Sequence, residues 1–158
     1  MTIATLPFLI IICTFFVDDG VHGYELWRSD GTEAGTYMFK DISIGSLGNV
    51  PYYLTRLDDI ILFNAGDGSN GYELWRTDGT DMGTYMVKDI WPGPDSGEPQ
   101  YFVLLNQRIY FITYSPEEGE DYWEIWSTDG STEGTVRDIS LTVEYESIYP
   151  ENLFVYKE

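Results

Sequence analysis

The sequence predicts an all-β protein of three tandem repeats of about 50 residues, each a four-stranded antiparallel sheet. Three observations predict it. A segment recurs almost unchanged 48 residues further on, short β-prone runs carry side chains of alternating character, and no stretch shows the 3.6-residue apolar period of an amphipathic helix.

The repeat is the strongest of the three. Tyr24 to Ile42 reads YELWRSDGTEAGTYMFKDI and Tyr72 to Ile90 reads YELWRTDGTDMGTYMVKDI, identical at 15 of 19 positions. A third copy runs from Trp123 to Ile139 (WEIWSTDGSTEGTVRDI), offset by 51, with three residues inserted ahead of it and two deleted after Gly134-Thr135. The copies divide the chain into repeat 1 (15–48), repeat 2 (49–96) and repeat 3 (97–145), flanked by an apolar segment (1–14) and a closing strand (146–158).

Within repeat 2 the elements fall in order. Tyr52 to Leu57 (YYLTRL) and Ile60-Ile61-Leu62-Phe63 are β-prone runs joined by the polar pair Asp58-Asp59, which reads as a tight hairpin turn. Gln100 to Leu105 (QYFVLL) and Asn106-Gln107 repeat that arrangement in repeat 3. Tyr72-Glu73-Leu74-Trp75-Arg76 and Thr84-Tyr85-Met86-Val87 supply the third and fourth strands, bounded by turn residues. In the third strand Tyr72, Leu74 and Arg76 share one face and Glu73, Trp75 and Thr77 the other. Bulky apolar groups on both faces fit a sheet sandwiched between neighbouring sheets, as propeller blades are. Asp78-Gly79-Thr80, with copies at Asp30 and Asp129, reads as a turn: glycine takes positive φ cheaply and the carboxylate accepts bonds from turn amides. Residues recurring once per repeat are read as structural: Glu25, Glu73 and Glu124; Trp27, Trp75 and Trp126; Asp30, Asp78 and Asp129; Gly31, Gly79 and Gly130.

The octapeptides from Glu25 (ELWRSDGT) and Glu73 (ELWRTDGT), with the weaker EIWSTDGS from Glu124, resemble the ELWxxDGT repeat family, and the resemblance covers the chain from about Phe15 onward. It implies propeller-like blades and a bacterial protein that is secreted or displayed at the cell surface, and it implies little of mechanism. The third copy departs from the pattern at Ile125, Ser127 and Ser131 and by its deletion, which leaves its strand ends open.

The two ends are complementary. Aligning Leu153 with Leu54 makes the segment from Glu151 to Tyr156 an opening strand of a repeat, whereas Phe15-Phe16-Val17 aligns with Phe63-Asn64-Ala65, a second strand. Such ends predict strand complementation, within one chain or between chains. Within one chain it would close only three units, below the four to eight blades that propellers normally use. Between chains it builds a ring or a filament. The assembly residues are then Leu6, Phe8, Leu9, Ile10, Ile11 and Ile12 in the apolar run, with Leu153, Phe154, Val155 and Tyr156 in the closing strand. For the apolar run three readings stand side by side: a strand buried in a sister subunit, an intrachain core strand, and a residual targeting segment without a basic start.

Composition limits the partners. Eight Lys+Arg against 27 Asp+Glu give a net charge of −19, so phosphate backbones and anionic lipid heads are repelled and no nucleic-acid partner is expected. The apolar run is too short for a spanning helix. With one Cys (Cys13) and one His (His22), neither an intrachain disulfide nor an ordinary zinc site can form. Acidic turns at Asp18, Asp19 and Asp67 offer oxygen ligands to weakly bound calcium, against the alternative of hairpin turns facing water. No other cofactor is expected. Acids that recur in every repeat argue for structure over catalysis, and no singular cluster suggests an enzyme. Tyrosines outside the repeating core pattern, at Tyr52, Tyr53, Tyr101, Tyr145 and Tyr149, suit stacking against a carbohydrate. The expected function is therefore a non-catalytic extracellular structural protein that self-assembles, with glycan-binding adhesion as the runner-up.

Overall fold

The computed structural model describes residues 12–43, 50–115 and 122–142. Eleven strands and no helix make up the described chain. Strands β1 (Cys13–Asp18), β2 (Tyr24–Ser29) and β3 (Tyr37–Lys40) form the first sheet. β4 (Tyr52–Leu57), β5 (Ile60–Gly66), β6 (Tyr72–Thr77) and β7 (Tyr85–Lys88) form the second, and β8 (Gln100–Leu105), β9 (Arg108–Ser115), β10 (Tyr122–Thr128) and β11 (Val136–Thr142) the third. Each sheet is an antiparallel meander in which neighbours in sequence pair in space. The first sheet thus carries three described strands where the repeat predicts four, because the segment ahead of β1, with Leu6, Phe8, Leu9, Ile10 and Ile11, lies outside the described residues. So does the closing strand with Leu153, Phe154, Val155 and Tyr156. Ile12 is exposed just ahead of β1.

Two-residue turns close the hairpins where the sequence places them. Leu57 pairs with Ile60 across Asp58-Asp59, and Leu105 with Arg108 across Asn106-Gln107. Asn106 and Gln107 both take positive φ (49° and 62°), the twist that a tight hairpin favours. The β-prone run Ile60 to Phe63 continues as β5 through Asn64 and Ala65 to Gly66, paired with β6 from Ile61 onward.

Alternation within β5 and β6 sends side chains to both faces, and both are covered. Phe63, Ala65 and Trp75 pack with Ile61 and Met86 against Leu26, Ile42, Phe16 and Phe39 of the first sheet. On the other side Leu57, Leu62, Leu74 and Val87 pack against Ile109, Phe111, Phe102 and Trp126 of the third. The second sheet is therefore sandwiched between its neighbours, as its two-sided apolar pattern demands. Leu62, Phe63, Leu74 and Phe111 are each fully buried, worth about 1.5–3 kcal/mol per side chain.

Hydrogen bonds tie the same junctions. Arg28 donates through Nη1 to the carbonyl of Gly79 (3.0 Å), and its equivalent Arg76 donates to that of Gly130 (3.1 Å). Each guanidinium also lies over a tyrosine ring of its own sheet, Tyr37 and Tyr85 respectively. The repeating arginine thus reaches the Asp-Gly turn of the following sheet. Ser127 takes its place in the third repeat, and there Arg108 bonds Ser127 Oγ and the Gly134 carbonyl within its own sheet.

Candidate functional site

The recurring motif builds turns. In repeat 2, Asp78 Oδ1 accepts from the amide and hydroxyl of Thr80, Thr80 Oγ1 accepts from the amide of Gly83, and Thr84 Oγ1 donates to the Thr80 carbonyl. Thr77 Oγ closes the cycle through Thr84 Oγ1 and the Gly79 amide. The same bonds recur around Asp30 and Asp129. Side-chain bonds from Thr32, Thr80 and Ser131, followed by turn amides, hold the three carboxyls below the usual Asp range. The Asp Oδ1 atoms and the hydroxyls of this cluster are committed to the turn itself.

The glutamates of the motif anchor loops. Glu25 receives the amide of Ile42 (2.5 Å), and Glu73 receives those of Ile90 and Gly97 (both 2.7 Å), clamping the segment that leads to the third sheet. Burial drives both carboxyls up to about 7, with Asp41 and Asp89 nearby adding like charge. Repeat 3 solves the problem differently, since Glu124 pairs with Arg137 (2.7 Å) and accepts from the Trp126 indole. Trp75 and Trp126 pack in the cores between sheets.

Each of the three acids expected to offer calcium ligands accepts hydrogen bonding from its own turn. Asp18 accepts from the Gly20 amide; Asp19 accepts from the amides of Val21 and His22 and from the His22 ring (2.6 Å). The His22 amide first, then its ring and the Val21 amide, pull Asp19 down to about 2, and the bond to Asp19 raises the imidazole. Asp67 repeats the pattern with the amides of Ser69 and Asn70 and the Asn70 side chain, so His22 stands where Asn70 does. Burial works to raise Asp67, and these bonds outweigh it. Among the described residues no group of three or more His, Cys, Asp or Glu is placed to hold a metal ion.

A different place gathers side chains that no motif accounts for. Where β4 and β8 approach one another, Tyr53 stacks on Phe102 (centroids 6.1 Å) and meets Tyr101 (5.7 Å), while Tyr52 lies beside Tyr53 and Tyr72. Tyr53 and Tyr101 occupy equivalent positions and both take positive φ, 60° and 55°. A shift of register in each strand, Tyr52 to Thr55 and Gln100 to Val103, accompanies this conformation. Bulky side chains rarely adopt it, so these two positions store backbone strain. Beside them opens a recess of about 370 Å3 lined by Tyr52, Tyr53, Asn64, Tyr72, Glu98 and Gln100. Asn64 is only 4% exposed, and among the described residues its Oδ1 has no hydrogen-bond partner, which costs about 1–3 kcal/mol in a buried site.

Sequence reading places Tyr52, Tyr53 and Tyr101 outside the repeating core, and the structure brings all three together. Tyr145 and Tyr149 lie outside the described residues. Asn64, Glu98 and Gln100 were not singled out, although their signal is present: at a spacing of 48 their counterparts are Phe16 and Ile112, Val50, and Tyr52. Polar residues at positions that other copies fill with apolar or aromatic ones mark the recess.

Fold and site together define an all-β repeat protein with a tyrosine-lined recess between two of its sheets. Comparison with protein-family models, curated proteins and solved structures finds no match.

Proposed function

We propose that this chain is a non-catalytic structural protein that assembles with copies of itself by strand complementation, its sheets set as propeller-like blades outside a bacterial cell. The observation that carries the reading is the second sheet, covered on both faces by its neighbours as a blade is. In the second and third sheets β5 and β9, the strands equivalent to β1, are each covered by an opening strand, β4 and β8. An opening strand supplied by a sister chain would cover β1 in the same way. The segment 151–156 (ENLFVY) matches the opening-strand pattern, with Pro150 and Leu153 standing where β4 has Pro51 and Leu54. Face-to-face packing of successive sheets, and the approach of β4 to β8 through Tyr53 and Tyr101, support the blade arrangement. The turn carboxylates, all engaged locally, support a scaffold over an enzyme.

Sedimentation and negative-stain imaging of the full chain test this, beside a chain lacking 151–158 and a full-length Phe154→Asp variant. Rings or fibres are expected from the full chain, and smaller species with unchanged far-ultraviolet circular dichroism from both variants. A full chain that stays monomeric over a wide concentration range, or variants that assemble as before, overturns the reading.

A further inference from the structure

We propose that the recess between β4 and β8 binds a neutral sugar ring, with Tyr52, Tyr53 and Tyr72 as the stacking surface and Asn64, Glu98 and Gln100 as hydrogen-bonding partners for its hydroxyls. This goes beyond self-assembly and does not depend on it.

Repeat 2 departs from repeat 1 at a position in the wall of the recess. In the first sheet that position is Phe16, which packs edge-on against Phe63 of the second sheet at 5.6 Å. In the second sheet it is Asn64, on the same face of the strand as Leu62 and turned towards the third sheet. A large ring is replaced by a short amide, and a hollow is left with a buried acceptor on its wall. Such an acceptor calls for a donor from the occupant. Its size is within the roughly 300–1,000 Å3 of sites that take small molecules.

The chemistry of the lining narrows the occupant. Tyr52 and Tyr72 are 6.3 Å apart with planes inclined by 36°, and Tyr52 and Tyr53 are 6.4 Å apart at 56°. Neighbouring rings tilted against one another make one contiguous aromatic wall, on which the C–H face of a pyranose can rest, rather than separated walls around a cation. The Glu98 carboxylate and Asn64 Oδ1 only accept, and the amide of Gln100 both donates and accepts, so a ligand rich in hydroxyls satisfies them. Anionic sugars are disfavoured by Glu98 and by the net charge of −19. Tyr53 and Glu98 hold their places with φ of 60° and 45°, backbone strain of the kind found at ligand sites.

Titration of the full chain with neutral glucose, galactose, mannose and N-acetylglucosamine oligosaccharides, followed by saturation-transfer NMR and intrinsic fluorescence, tests the proposal. Sialyllactose and choline serve as anionic and cationic probes. Saturable binding of at least one neutral series is expected, weakened roughly tenfold or more by Tyr53→Ala. Asn64→Phe restores the repeat 1 arrangement and should abolish binding while leaving thermal stability equal or higher, which separates a ligand site from a structural one. The proposal is overturned by no saturable binding of any neutral series, by preference for sialyllactose or choline, or by binding that survives Asn64→Phe.

Discussion

Gly83 shows how tightly a single residue is bound into the turn. A Cβ placed there would lie 2.0 Å from Asp78 Oδ1, and the same holds at Gly35 against Asp30 (1.9 Å) and Gly134 against Asp129 (2.0 Å). An alanine must therefore push the carboxylate out, and with it the two bonds from Thr80. Gly83→Ala should destabilise the protein by about 1–2 kcal/mol, as much as Asp78→Ala does. The double variant should lose little more than either single one, because both changes remove the same bonds. Urea unfolding measures all three, and additive losses would refute the shared cause. At this scale the sequence was legible for the turn, since Asp-Gly-Thr announces its own hydrogen bonds. It was silent on Gly83, whose requirement comes from a carboxylate five positions earlier folding back over it. The burial of the Asn64 amide was equally hidden, because a polar residue within a strand does not reveal what covers it.

Junctions between sheets are the next level, and the arginines expose their logic. Arg28 and Arg76 each cross to the glycine carbonyl of the next turn, and at the first junction Lys40 also crosses to Asp81 (2.9 Å). Arg76→Met keeps most of the aliphatic stem and removes the bond to Gly130 and the contact over Tyr85. A loss of about 1–2 kcal/mol is expected. Arg56→Met is the control, since among the described residues exposed Arg56 bonds only to the Asp58 carbonyl of its own hairpin, and should cost less than about 0.5 kcal/mol. Equal losses in denaturant titrations would mean that the crossing bond contributes nothing. The order of strands and the hairpin turns could be read from period-two alternation. The third copy could not be read as well: β11 runs seven residues against four in β7, and Arg137, brought in by the two-residue deletion, pairs with Glu124. A deletion shifts what faces a buried acid, and no propensity records that.

For the whole molecule, the acids fall into two sets that pull stability in opposite directions with pH. Glu25 and Glu73 are raised from 4.5 to about 7, chiefly by burial, so the folded protein holds protons that the unfolded chain has released. Their contribution is fully present below about pH 4.5 and is lost as pH rises through 7. The turn acids Asp19, Asp30, Asp67, Asp78 and Asp129 titrate below the ordinary 3.8, so their contribution is present above that value and disappears as the solution is acidified further. Between the two windows neither set opposes folding, and the self-repulsion of a chain at −19 is also partly relieved there. The melting temperature should therefore peak on the acid side, at about pH 4–4.5, and decline towards pH 7.5. Glu73→Gln should flatten that decline, because an amide cannot ionise in the buried site, even though it loses one of the two acceptors for Ile90 and Gly97 and so melts lower near the peak. Calorimetric scans of both proteins across this range decide the matter: a melting temperature that climbs steadily to pH 7.5, or an undiminished slope in the variant, would show that the buried glutamates stay ionised and that the clamp on the segment leading to the third sheet works as a carboxylate.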